Sequence, residues 1–123
     1  MILKYKQDAE FFTPEKCYIN ELINLDEDEG CSIARARVKA GITTQLHALK
    51  WTTERYVILE GVGKVEIDGR EPTLVNPNDV VYIRADQSQR ITNTGNQDLV
   101  FLVVCTPRFK SECYITLEEP DTK

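Results

Sequence analysis

The sequence has one histidine, His47, with one methionine and one tryptophan. A lone imidazole excludes, within one chain, the two-histidine-one-carboxylate arrangement that holds non-haem iron. Cysteines stand at 17, 31, 105 and 113, and no two of them make a Cys-x-x-Cys pair. That argues against a zinc ribbon and against a dithiol redox motif. The start, Met1-Ile2-Leu3-Lys4-Tyr5-Lys6, lacks the basic-then-apolar pattern of a secretory signal, so a disulfide framework is not expected. The expectation is a cytoplasmic protein with reduced thiols. No apolar run approaches the ~18 residues that a membrane-spanning helix needs. Basic residues are too few for a nucleic-acid partner: 15 Lys and Arg face 20 Asp and Glu, a net charge of −5, whereas phosphate binding needs a clustered basic surface. Repeats, low-complexity tracts and Gly- or Pro-rich linkers are absent, as is any convincing long amphipathic helix.

A chain of 123 residues reads as one domain, and its patterning is that of strands. Residues 17–23 form a plausible first strand. From Ser32 to Ala40, Ala34, Ala36, Val38 and Ala40 alternate with Arg35, Arg37 and Lys39, the period of a half-buried strand. Residues 56–59, 64–67, 80–83 and 89–93 are further short strands, and Asp68-Gly69 is a hairpin-turn signal. Residues 99–104 are continuously apolar, as in a strand buried on both faces. Residues 7–12 read as a short helical turn, and the acidic run Asp26-Glu27-Asp28-Glu29-Gly30 as a solvated loop. Short strands punctuated by turns predict an all-β sandwich or barrel.

The informative spacing lies at Gly41, His47, Leu49, Glu54 and Gly61. Positions 47 and 49 share a strand face, and a short hairpin returns Glu54 toward the same space. Gly41 and Gly61 fall where turns need positive φ. This spacing resembles the first motif of the cupin superfamily: a glycine, a His-x-His pair, a glutamate and a turn glycine, with Leu49 in place of the second histidine. Aligned on Asn93, the second motif falls on Asn78, Arg84, Asp86, Gln89 and Asn93, where the family pattern has Gly, Pro, Gly, His and Asn. The strand Asn78-Asp79-Val80-Val81-Tyr82-Ile83 is similar to the family's Gly-Asp-Val-Val-x-Ile. Thr44-x-x-His47-x-Leu49, Gln89-Arg90-Ile91-x-Asn93 and Cys105-Thr106-Pro107-Arg108-Phe109 resemble a subgroup of small single-domain cupins loosely labelled mannose-6-phosphate isomerase-like. The resemblance implies a double-stranded β-helix, or jelly-roll barrel, over residues 31–105. Residues 1–30 would form an N-terminal arm and first strand, and residues 106–123 a C-terminal arm.

In metal-bearing cupins the ligands are the two histidines and the glutamate of the first motif and the histidine of the second. Carried over, these become His47, Leu49, Glu54 and Gln89. Leucine cannot ligate, and glutamine offers only a carbonyl oxygen. One divalent ion (Zn, Mn, Fe or Ni) on His47, Glu54 and Gln89 is one expectation. Cys105 joins it if the face it shares with Val103 and Phe101 looks inward; its plainer role, preferred here, is a small buried apolar residue. Without a metal, Glu54 is an inward carboxyl paired with His47 or an arginine. Gln89 and Asn93 share a strand face and are candidate ligand hydrogen-bonders. Tyr56 and Trp51 flank the site as candidate stacking surfaces, core or interface packing being their commoner role. Lys50, Arg55 and Arg84 read as solvated charge.

Two functions follow. One is the binding of a small polar ligand, a sugar or a small acid, by His47, Glu54, Gln89 and Asn93. The alternative is a metal-dependent isomerase, epimerase or lyase on a sugar-like carbonyl compound, with the metal polarising the carbonyl and His47 or Glu54 as the catalytic proton shuttle. A metal-free version would use Glu54 as base and His47 as acid. Whether the chain is an enzyme stays open between these. A homodimer is expected through Phe11-Phe12 and residues 17–23.

Overall fold

The computed structural model describes residues 1–118; the end of the expected C-terminal arm, residues 119–123, lies outside them. Among the described residues, eleven strands run in chain order as β1 (Phe11–Phe12), β2 (Tyr18–Ile23), β3 (Ser32–Val38), β4 (His47–Leu49), β5 (Thr53–Glu60), β6 (Gly63–Ile67), β7 (Thr73–Val75), β8 (Val80–Ile83), β9 (Gln89–Asn93), β10 (Leu99–Thr106) and β11 (Tyr114–Thr116). They form a six-stranded sheet, β1-β2-β3-β10-β5-β8, and a five-stranded sheet, β11-β4-β9-β6-β7. Every pairing is antiparallel. The two sheets close a double-stranded β-helix, the jelly-roll barrel that the strand pattern predicts.

Alternation decides what faces inward. On β3, Ala36 and Val38 are buried while Arg35 and Arg37 point outward to Glu10, Glu60 and Asp98. Fully buried Val38, Ile58, Ile91 and Leu99 join Phe101 and Ile83 in the core between the sheets. Each such aliphatic side chain contributes about 1.5–3 kcal/mol through removal from water.

Turns carry the positive φ values expected of them. Gly41 has φ 79° and Gly61 φ 82°. At Gly61 a Cβ would also lie 2.5 Å from the Asp98 carbonyl oxygen, so both backbone and space demand glycine there. Two second-motif positions where the family carries glycine are Asn78 and Asp86, with φ 76° and 70°. Asn and Asp are the non-glycine residues that best tolerate this region, so the turns survive the substitution.

Several elements differ from expectation. The 7–12 segment is a 3-10 turn over Gln7–Ala9 followed by β1. The alternating strand stops at Val38, and Lys39 and Ala40 are exposed, because the chain turns there with Ile42 N–H donating to Lys39 O at 3.1 Å. In β10, Leu99, Val100 and Phe101 are buried but residues 102–104 are only half-buried, since Val103 borders a cavity. β7 was not anticipated. The C-terminal arm is no loose covering: β11 pairs with β4 in register Tyr114↔Leu49, Ile115↔Ala48 and Thr116↔His47.

Candidate ligand-binding site

The two sheets each bring two side chains to one place. β4 and β9 set His47 opposite Gln89. β5 presents Glu54 and Tyr56, two residues apart and both inward; Glu54 lies opposite Cys105 of β10. The four converge on one space, where Gln89 links the other three. Its Oε1 accepts from Tyr56 Oη at 2.6 Å. Its amide nitrogen donates to Glu54 Oε1 at 2.7 Å and to His47 Nε2 at 2.9 Å. The opposite ring nitrogen, Nδ1, lies 2.8 Å from the Gln45 backbone oxygen. A carbonyl can only accept, so the ring proton sits on Nδ1 and Nε2 presents its lone pair to Gln89. Tyr114 of β11 stacks on the imidazole at 4.8 Å between centroids, and its hydroxyl donates to Gln45 Oε1 at 2.8 Å.

Burial pushes the Glu54 carboxyl up to about 8, with the Glu15 charge adding to the rise and the Gln89 hydrogen bond opposing it. Burial thus favours the protonated acid. Burial likewise raises Tyr56, helped by Glu54 and Glu15. Among the described residues, no buried side-chain nitrogen or oxygen lacks a partner.

Above this cluster opens a cavity of about 370 Å³ bordered by His47, Glu54, Tyr56 and Tyr114. The N-terminal segment forms one wall: Glu15 borders the space, its Oε2 lies 3.8 Å from His47 Nδ1, and its backbone oxygen accepts from Gln45 N–H at 3.0 Å. Glu15, Gln45 and Tyr114 were not anticipated. Nothing in their local sequence marks them, since they reach the site only through pairing across the chain.

Other candidates stand elsewhere. Trp51 occupies the β4–β5 turn, 70% exposed with φ 57°, and does not border the cavity; its turn position throws the ring outward. Asn93 shares the Gln89 face but is consumed locally. Its Nδ2 donates to Val38 O and Gln97 O, both at 2.8 Å, and its Oδ1 accepts from Gly95 N–H. Gln89 itself is 1% exposed and lies behind the cavity wall.

The metal expectation meets a donor set that does not fit it. Among the described residues, no three His, Cys, Asp or Glu side chains are grouped to hold a metal ion. The group between imidazole and carboxyl is an amide N–H donor, where a cation needs electron pairs. Leu49 packs instead with Cys105 and Cys113. Burial, then the Glu54 charge, raises the Cys105 thiol.

A jelly-roll barrel carrying an inward His, Glu and Gln beneath an open cavity is of the cupin class. A family model described as Cupin domain matches residues 34–105, and the chain belongs to that family. It is 32% identical over 111 residues to the uncharacterized protein MJ1618 of Methanocaldococcus jannaschii, covering 89% of this chain and 88% of that one. Over 71 residues it is 35% identical to a Thermotoga maritima protein named as oxalate-binding, covering 58% of each chain. A solved structure described as a predicted oxalate decarboxylase from Thermotoga maritima superposes with a TM-score of 0.77 at 23% identity, over 87% of this chain and 99% of that one. At that identity the superposition speaks for the fold alone.

Proposed function

We propose that this protein binds a small molecule in the cavity above His47 and does so without a resident metal ion. The observation that carries the reading is the bonding of Gln89, which joins His47, Glu54 and Tyr56 into one closed set. Family membership and the name of the Thermotoga maritima relative support a small-molecule ligand. Binding is favoured over proton-transfer catalysis because both nitrogens of the imidazole are already engaged. A role for Glu54 as base is opposed by the rise in its proton affinity on burial. The alternative, a metal-dependent isomerase, epimerase or lyase, is opposed by the donor set.

The test is metal analysis of untagged protein grown with Zn, Mn, Fe and Ni supplements. Metal far below one equivalent per chain is expected. Stoichiometric metal that disappears on His47→Ala would overturn the reading.

The expected homodimer belongs to the same proposal. Phe11 and Phe12 remain 50% and 60% exposed, and a second copy would cover them. Light scattering is expected to give twice the chain mass; a monomer mass at micromolar concentration counts against it. All four cysteines are free, which supports the expected cytoplasmic setting. No helix of the described residues is long and apolar enough to cross a membrane.

A further inference from the structure

The walls of the cavity define the charge of what enters it. Among the described residues that border it none is Lys or Arg, whereas three, Glu15, Glu21 and Glu54, are acidic. The neighbouring cations are turned away. Arg35 and Arg37 alternate with the inward Ala34 and Ala36 and are paired with Glu10, Glu60 and Asp98. Arg108 and Lys110 flank the bordering Phe109 but are bound to Asp26 and Glu29. An anion in this space would sit beside carboxyls with no counter-charge, a costly placement away from water.

Most of the remaining lining is apolar, with Thr13, Ser32, Thr44, Gln45 and Ser111 among its polar members. Ile19, Ala36, Ile91, Phe101, Val103 and Phe109 border the space, and its volume lies near the lower end of the ~300–1,000 Å³ range of small-molecule sites. Glu54 keeps one oxygen for an occupant. Gln89 engages only Oε1 of Glu54; among the hydrogen bonds of the described residues, none uses Oε2. Glu54 is 6% exposed and borders the cavity, so its second oxygen is a polar point in a mainly apolar chamber.

We propose that the ligand is an uncharged, largely apolar molecule whose single oxygen function accepts a hydrogen bond from the Glu54 carboxyl, and that oxalate and sugar acids are rejected. This rests on the reading of the cavity as a ligand site. The raised proton affinity of Glu54 at neutral pH is in keeping with a donor there.

The test uses three probes with one ring system and different charge: 2-acetonaphthone, 2-naphthoate and 2-naphthylmethylamine. Each is titrated at pH 7 into ¹⁵N-labelled protein, with oxalate as a fourth. The ketone is expected to bind at least about tenfold more tightly than either charged probe, a difference of ~1.4 kcal/mol, and to shift the His47 and Tyr114 resonances. Oxalate is expected to shift nothing at millimolar concentration. Ala34→Leu, which places bulk in the cavity, is expected to abolish ketone binding while leaving the circular dichroism unchanged. Preference for naphthoate or oxalate, or for the amine, at these same resonances would overturn the charge rule and leave the ligand site standing. Failure of all four to shift cavity resonances would sink the ligand site itself, and this inference with it.

Discussion

Gln89→Leu is expected to lower the free energy of unfolding by about 3 kcal/mol, the cost of stranding several buried polar groups. The two side chains have similar volume, so the loss is one of bonding rather than of packing. Without the amide, the Tyr56 hydroxyl, Glu54 Oε1 and His47 Nε2 each lose the partner described above. Urea denaturation followed by circular dichroism would read the effect as a lower midpoint at unchanged m-value. A loss under about 1 kcal/mol, the usual worth of one net hydrogen bond, would show that the three groups find other partners and that the closed set is not what holds the site.

The second large effect is a pH dependence carried by Glu54. Its carboxyl is raised to about 8 in the fold from an ordinary 4.5. Between these values the unfolded chain ionises the group while the folded chain keeps it protonated. The folded state therefore binds more protons, and stability falls as pH rises through that window, levelling off above it. Glu54→Gln keeps the shape, and its carbonyl still accepts from Gln89, but it cannot ionise. The variant is expected to match the parent near pH 4.5. It should then gain on it steadily, by on the order of 4 kcal/mol at pH 8. Denaturation midpoints for both proteins from pH 4.5 to 9 check this. Parallel curves across the range would mean that Glu54 is ionised in the fold at neutral pH.

Much of the barrel was legible from residue pattern. The two-residue alternation on β3 sends alanines inward and arginines outward because opposite faces of a strand meet opposite media. Positions 47 and 54 were traceable to one space because strand periodicity and a short return fix where their side chains point, and position 89 was placed with them by the resemblance to the second cupin motif. What was not legible depends on contacts between distant segments. β7 and β11 have three residues each, too few for a periodic signal, and β11 is recognisable only once β4 lies beside it. Glu15 and Tyr114 enter the site from opposite ends of the chain. Trp51 shows the reverse error: closeness to His47 along the chain does not survive a turn with a left-handed residue. Asn93 shares the orientation of Gln89, but at the strand's end that orientation serves a bend rather than a cavity.

The pairing of β11 with β4 makes the histidine hostage to a segment more than sixty positions downstream. β4 shares one register pair with β9 but three with β11, and the ring of Tyr114 lies flat against the imidazole. Shortening the chain ahead of Tyr114 would strip the back support from His47 and leave β4 an open edge. Alterations at the tail thereby reach the floor of the chamber through Tyr114.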